Sequence, residues 1–282
     1  MNSPTQFGRA RFAVDLHMHS TMSDGLLTPR EVVELAAVRG VKALALTDHD
    51  TTRGLAAAEM VAKEHDIELI PGVEISAWMD REVHILGYFI DRHEPKLSRC
   101  LEQMRGARAE RVEEICRRLT ALGKPLTPEQ VHAEGDWNLG RPHVARALLT
   151  AGHVASFAEA FRRYLGNDGP AYVPAARLSV REAIQLIHGA GGIAVVAHPA
   201  VDGIIDSMPQ MSSWGLDGVE IAHPAHSRQA RRTLKQTAKR LGLLATGGSD
   251  FHTPASPYGI GHCGITEEAL AMLRAHCADL AA

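Results

Sequence analysis

The run Asp15-Leu16-His17-Met18-His19 sets a carboxylate and two imidazoles at every second position. In an extended chain residues i, i+2 and i+4 share a face, so Asp15, His17 and His19 are expected to point into one cavity. Paired imidazoles at this spacing are ligands for a borderline metal ion, and a carboxylate beside them can orient one ring through its second nitrogen. Asp24 follows in Ser23-Asp24-Gly25, where a turn residue bonding its own backbone is the plainer alternative. Further along, apolar runs stop abruptly at the same residue types: Thr47-Asp48-His49-Asp50, Gly72-Val73-Glu74, Ala197-His198-Pro199 and Gly248-Ser249-Asp250-Phe251-His252, with His84 and Glu220 carried inside two other runs. One histidine of the 16 at such a place is ordinarily a satisfied core or surface residue. Seven runs that each deliver a ligand-type side chain need another explanation.

Six of these histidines, His17, His19, His49, His84, His198 and His252, join three carboxylates, Asp24, Glu74 and Asp250. A catalytic zinc uses about three protein ligands, so this set implies two or three ions. Mixed imidazole and carboxylate donors suit Mn²⁺, Fe²⁺ or Zn²⁺, and not Ca²⁺ or Mg²⁺ held by oxygen alone. A pocket holding that many dications is positive. It favours an anionic substrate and a water activated at neutral pH.

The elements that would position these residues are short β-branched runs at 12–16, 42–47, 68–75, 83–90, 193–197, 218–222 and 243–247. They alternate with amphipathic stretches, the pattern of a mostly parallel sheet covered by helices. Thr28-Pro29-Arg30-Glu31 reads as a helix start with Thr at the cap, Pro at the first position and Glu three residues on, and Ser179 with Glu182 repeats the spacing. In a β/α barrel the C-terminal strand ends form the active site, which would gather all seven endings at one mouth. The strand signal vanishes after about Pro95 and returns past Asn167-Asp168-Gly169-Pro170. The chain is therefore read as a barrel over 1–95 and 170–282 with a helical, substrate-capping insertion over 96–169.

In order and spacing, Asp15-Leu16-His17-Met18-His19-Ser20, Thr47-Asp48-His49-Asp50, Gly72-Val73-Glu74, Ala197-His198-Pro199 and Gly248-Ser249-Asp250-Phe251-His252 resemble the PHP phosphoesterases, the polymerase and histidinol phosphatase family. The resemblance covers most of the chain. It implies an α/β fold, a distorted (β/α)7 TIM-like barrel, and a site for three metals. His17, His19, Glu74 and Asp250 would hold one ion, Asp24, His49 and His252 another, and Glu74, His84 and His198 a third, with Glu74 bridging. Gly140-Arg141-Pro142-His143 and Tyr172-Val173-Pro174 make the chain most like stand-alone members that include 3′,5′-nucleoside bisphosphate phosphatases, which also trim 5′-phosphorylated short RNA. It departs from them at His223, where relatives more often carry an aromatic residue or asparagine.

Four residues are candidates for substrate binding. Arg141 sits at the start of a helix, where phosphate is already favoured, and His143 stands beside it in the resembling motif. Arg177 would clamp a second phosphate as the chain re-enters the barrel, and His223 completes the set. The basic stretch from His226 to Arg240 has Ala230, Leu234, Ala238 and Leu241 on one stripe, so it is the solvated face of a covering helix and not a nucleic-acid track. Aromatic residues are only 5%, which offers no stacking platform for long single strands. Arg105, Arg108, Arg111, Arg117 and Arg118, alternating with glutamates, are expected to be helix-surface ion pairs.

A formal charge of −3 gives no global pull toward nucleic acid or anionic membrane. Four cysteines without a C-x-x-C pair indicate reduced thiols, and no basic-then-apolar leader or membrane-length apolar run stands in the sequence, so a cytoplasmic enzyme without membrane contact or obligate protein partner is expected. The activity expected is metal-dependent removal of the 3′-phosphate from a nucleoside 3′,5′-bisphosphate, with trimming of short RNA beside it. The alternatives are a phosphatase for another small monoester, such as histidinol phosphate, and a non-catalytic metal-binding module.

Overall fold

Seven strands follow one another around the molecule in chain order in a computed structural model, which describes residues 8–135, 137–174 and 178–280. They are β1 (Val14–Asp15), β2 (Ala43–Leu46), β3 (Glu68–Trp78), β4 (Glu82–Tyr88), β5 (Ile193–Val196), β6 (Gly218–Ala222) and β7 (Leu244–Gly247). The sheet curls until its two edges nearly meet: Leu16 N–H donates to the Gly247 carbonyl at 3.3 Å, His19 N–H to that of Phe251 at 2.9 Å, and Met18 bridges Phe251. No side chain fits in that seam. A β-carbon on Gly248 would lie 2.3 Å from the His17 β-carbon and 2.4 Å from its nitrogen.

The expected α/β barrel is therefore present, with one distortion that the run of strands and helices did not show. β4 pairs antiparallel with both β3 and β5, while the other neighbours are parallel. Three residues, Met79 to Arg81, turn β3 straight back into β4, too few for a crossover helix. The reversal puts the beginning of β4, not its end, at the active mouth. His84 is there because it lies two residues into a reversed strand, opposite Ser76 of β3.

Helices α1 (Pro29–Arg39) and α2 (Leu55–Glu64) cover β1 to β3 through Val32, Val33, Leu55 and Val61. Thr28 and Glu31 form the capping box expected of them, and Gly40 ends α1 in the left-handed region at φ 81°. Helices α7 (Val180–Gly189), α8 (Met208–Ser213) and α9 (Arg228–Leu241) cover the other side, where α9 buries Leu234 and Ala238 and exposes most of its basic residues, as the stripe predicts. The barrel is filled by Val14, Leu16, Ala43, Ile70, Leu86, Tyr88 and Val195. Its lower end is closed by Leu270 and Leu273 of α10 (Glu267–Leu280), whose Arg274 and His276 pair with Glu68 and Asp217.

Between β4 and β5 lie α3 (Pro95–Ala121), α4 (Pro128–His132), α5 (Arg141–Thr150), α6 (Phe157–Ala160) and a π turn (Phe161–Leu165). Because β4 ends at the bottom of the barrel, α3 has to climb its whole height, and 27 residues give about 40 Å. Its first turns bury Leu97, Leu101 and Met104 in the barrel core. Its later turns bury Val112, Ile115 and Leu119 in a separate core with Val144, Leu148, Tyr164 and Leu165. The expected surface pairs on α3 hold for Arg105 with Glu102 and for Arg117 and Arg118 with Glu114, but not for Arg108 and Arg111. Those two lie on the helix face that crosses the mouth, Arg111 buried and Arg108 partly so, as described below. Among the described residues no helix is long and apolar enough to cross a membrane.

Candidate metal centre

Glu74 lies on β3 with its side chain inside the barrel, 1% exposed, and its two oxygens organise the site. Oε2 is 3.1 Å from His17 Nε2, 3.2 Å from His19 Nε2 and 3.3 Å from His49 Nδ1. Oε1 is 3.0 Å from His84 Nδ1 and 3.1 Å from His198 Nε2. Asp250, just past β7, sets Oδ1 3.3 Å from His17 Nε2 and 3.2 Å from His19 Nε2. On the far side Asp24 stands 3.3 Å from His252 and 3.8 Å from His49. All nine residues singled out for metal binding thus converge at the mouth.

The donor atoms fall into four overlapping groups: His19, Asp24, His49 and His252; His17, His19 and Asp250; His17, Glu74 and His198; His49, Glu74 and His84. The first two follow the groupings that the family resemblance implies in part, with His19 added to the first and Glu74 absent from the second. The third implied set, Glu74 with His84 and His198, is divided between the last two groups, although both rings face the same Glu74 oxygen. The donor chemistry fits transition-metal ions. His19 Nε2, His49 Nδ1 and His84 Nδ1 are buried nitrogens with no hydrogen-bond partner, aimed into the carboxylate cluster, an arrangement a cation would satisfy.

The electrostatics show what holds these charges together without an ion. Burial works against the charge on Glu74, but His49, His17 and His84 hold it well below the usual carboxylate range. Burial pushes His84 down, and Glu74 and Glu82 outweigh it, lifting the ring to about 9. His49 goes the other way, well below 6.5, because burial prevails. The carboxylates that raise His84 are the ones that would hold a cation, so an ion bound there would compete with protons.

Residues behind the donors fix their angles. Glu220 on β6, fully buried, takes His17 Nδ1 at 3.0 Å and the His198 N–H at 2.9 Å. Asp202, one helical turn past His198, takes its Nδ1 at 2.9 Å. Asp15 does not share this work. It accepts from the N–H groups of Ser249 at 2.9 Å and Gly261 at 2.6 Å, so it ties β1 to the loops after β7. The expected i, i+2 face fails because β1 ends at Asp15 and the alternation slips: Leu16 packs inside with Val14, and His17 and His19 then both point inward. The orienting carboxylate for His17 is Glu220, which the strand pattern displayed without indicating its role. Backbone strain gathers here too, with positive φ at Asp50 (49°), His198 (29°) and Asp250 (48°).

The residues between β4 and β5 grip the mouth directly. Arg108 of α3 donates from Nε at 2.8 Å and Nη2 at 2.5 Å to Asp50 Oδ2, and from Nη2 to Ser76 Oγ at 2.9 Å. Asn138 donates to the His49 carbonyl. Arg111 and Arg141 converge on Glu82 at 3.2 and 3.4 Å, and Glu82 in turn lies 3.5 Å from His84. Arg141 also reaches Asn167 Oδ1 at 2.8 Å and lies over the Tyr172 ring.

The other substrate candidates are placed differently. His143 is 1% exposed and uses Nδ1 to accept the Gly140 N–H at 3.0 Å, so it caps α5 and is closed to solvent. Burial, with Arg146 nearby, pushes it down to about 4, which keeps it neutral. His223 is buried with Nε2 3.2 Å from Asp250 Oδ2 and Nδ1 accepting the Ala225 N–H at 3.2 Å. It braces a carboxylate of the centre, and Arg231 holds its carbonyl at 2.7 Å. Arg177 lies outside the described residues.

A β/α barrel that gathers imidazoles and carboxylates at its strand ends around one shared central carboxylate defines a metal-dependent hydrolase. The chain belongs to the PHP domain family, whose model matches residues 15–163, and it is a metal-dependent phosphoesterase. It is 41% identical to a 5′-3′ exoribonuclease of Haemophilus influenzae over 85% of this chain and 90% of that one. A 3′,5′-nucleoside bisphosphate phosphatase of Chromobacterium violaceum is 38% identical over 86% of this chain and 87% of that one. Among solved structures, an amidohydrolase from Chromobacterium violaceum, holding sulfate and no metal, superposes with a TM-score of 0.86 at 37% identity, covering 93% of this chain and 96% of that one.

Proposed function

We propose that this protein hydrolyses the 3′-phosphate of nucleoside 3′,5′-bisphosphates, giving the nucleoside 5′-monophosphate and phosphate, and trims 5′-phosphorylated short RNA. The observation that carries the reading is the pairing of the nine-residue centre with a cationic flank, Arg141 on Glu82 beside His84. One phosphate is held where the centre acts, and the other reaches Arg141, whose planar fork matches phosphate. Relatives named for both activities, matched over most of their length, support it.

Two or three divalent transition-metal ions, Mn²⁺ in first place and Fe²⁺ or Zn²⁺ as alternatives, are the cofactors in this reading. Bound there, such ions neutralise phosphoryl charge and lower the pKa of water. His17, His19, Glu74 and Asp250 would hold one, Asp24, His49 and His252 a second, and His84 and His198 a third with Glu74. The chain's own contributions are orientation and exclusion: Glu220 and Asp202 fix imidazole angles, His223 steadies Asp250, and the helices of 96–169 form a capping domain that roofs the mouth. The substrate partner is a small phosphorylated nucleotide or short RNA. The compartment is the cytoplasm, consistent with four free cysteines.

Kinetics on two substrates test this. Adenosine 3′,5′-bisphosphate should exceed adenosine 3′-monophosphate in kcat/KM by about tenfold to a hundredfold, the worth of one charge-assisted contact of roughly 1.5–3 kcal/mol. Arg141→Ala should remove most of that gap and leave the poorer substrate nearly as before. Equal losses on both would show that Arg141 serves only Glu82 and the fold.

A further inference from the structure

A cleft of about 490 Å³ opens beside the metal centre, with Pro142, the neighbour of Arg141 in sequence, among its lining residues. Its floor includes Asp24 and His252, two of the proposed ligands. One wall is the barrel loop side, with Leu26 and Ala255, and the other comes from between β4 and β5, with Phe157 and Phe161. Leu26 is 50% and Phe157 42% exposed, so apolar surface is left open on both walls. The phenylalanine rings are 5.2 Å apart and tilted by 44°. Arg146 also lines the cleft and donates to the Asp24 carbonyl at 3.3 Å.

The imidazoles give the two flanks an order. His84, next to Glu82 and Arg141, has its ring centre 4.8 Å from that of His49, which is 6.4 Å from that of His252 at the cleft. A phosphate held in the middle of this row has a cationic neighbour at one end and an aromatic slot at the other. A nucleoside bisphosphate carries groups on only one side of its scissile phosphate. A 5′-phosphorylated RNA carries a nucleoside on both.

We infer that the cleft lined by Phe157, Phe161, Leu26 and Arg146 is the subsite for the nucleobase 3′ to the scissile phosphate of short RNA, and that nucleoside bisphosphates leave it empty. The inference rests on the proposed phosphoesterase reading. In both substrates the same bond breaks: water adds to phosphorus, the P–O3′ bond of the first nucleotide opens, and its 3′-oxygen leaves with a proton. With a bisphosphate the product is inorganic phosphate. With RNA the phosphate stays on the 5′-oxygen of the second nucleotide, whose base lies against Phe157. A ring face stacks on any base, so the subsite recognises a nucleotide without reading sequence.

The test uses the metal-loaded full chain and three probes: adenosine 3′,5′-bisphosphate, a 5′-phosphorylated diadenosine dinucleotide, and the same dinucleotide with its second residue abasic. Stacking on one side chain changes affinity by about fivefold to a hundredfold. In Phe157→Ala the ratio of kcat/KM for the dinucleotide over the bisphosphate should fall by that factor. In wild type, removing the second base should cause a loss of the same size, and the variant should be indifferent to it. A ratio that holds, or losses from variant and abasic probe that multiply, would overturn the assignment. If Phe157→Ala fails to fold, the wild-type comparison and Phe161→Leu decide, and a wild type indifferent to the missing base refutes the subsite. Cleavage of the bisphosphate but not of the dinucleotide refutes the subsite alone. Cleavage of the dinucleotide but not of the bisphosphate overturns the bisphosphatase reading, while the abasic comparison still tests the cleft.

Discussion

Glu74→Gln is expected to lower kcat/KM by about two to four orders of magnitude and to cost the protein at least one bound metal equivalent. The exchange keeps the shape of the side chain and removes the charge that faces five imidazoles within 3.3 Å. An amide cannot bridge cations with both of its heavy atoms, since one carries hydrogens. Elemental analysis alongside steady-state kinetics reads the result, and a variant with full metal content and ordinary turnover would refute the bridge. The metal-free proteins add a signature in pH. His84 is lifted to about 9 in the folded wild type, so its contribution to stability is complete below 6.5 and is lost as pH rises through about 9. Glu74→Gln removes the main charge that lifts it. The stability gap between the two metal-free proteins should therefore be wide near neutral pH and close toward pH 9 in thermal melts.

Gly248→Ala should damage both the fold and the metal centre through a single added methyl. The new carbon meets His17 backbone atoms, the nitrogen at 2.4 Å and Cα at 2.8 Å, so no side-chain rotation relieves it. Either the β1–β7 seam opens or β1 shifts and carries His17 off its mark. Overpacking of this kind costs about 1–3 kcal/mol, a fall in Tm of roughly 3–10 °C for a chain of this size. Displacement of a ligand by about 1 Å costs a further hundredfold in rate. A melt and one activity measurement suffice, and an unchanged Tm with unchanged rate would mean that the seam is looser than the structure shows.

The metal donors were legible because most apolar runs switched to histidine or carboxylate at a strand end, where a barrel core has no use for them. What stayed hidden was direction. The gap between the runs at 68–75 and 83–90 is too short for a crossover helix, but the alternating pattern itself carries no direction, so the reversal of β4 is seen in the pairing. Asp15 was misplaced because a one-residue slip after a two-residue strand cannot be seen in a pattern that alternates on either side of it. His143 and His223 read as substrate contacts because burial is not written in residue type. Glu220 and Asp202 orient ligands from 22 and 4 residues away from His198, and only the second separation, one turn ahead, hints at contact in the sequence. Arg108 and Arg111 looked like the rest of a charged helix. Which face of that helix crosses the mouth depends on where the barrel lies, which is long-range information.

That helix has a mechanical consequence. α3 is one continuous rod whose lower turns belong to the barrel core and whose upper turns belong to the second core, with Arg108 bolted to Asp50 at the junction. A rod anchored in two bodies fixes their spacing as a strut fixes a frame, so the gap over the metal centre is a gauge of set width and not a jaw that swings. The strut has one soft point, Gly106, between Met104 in the lower core and Val112 in the upper, with open space where a β-carbon would lie. Whatever give the gauge has is concentrated at that residue.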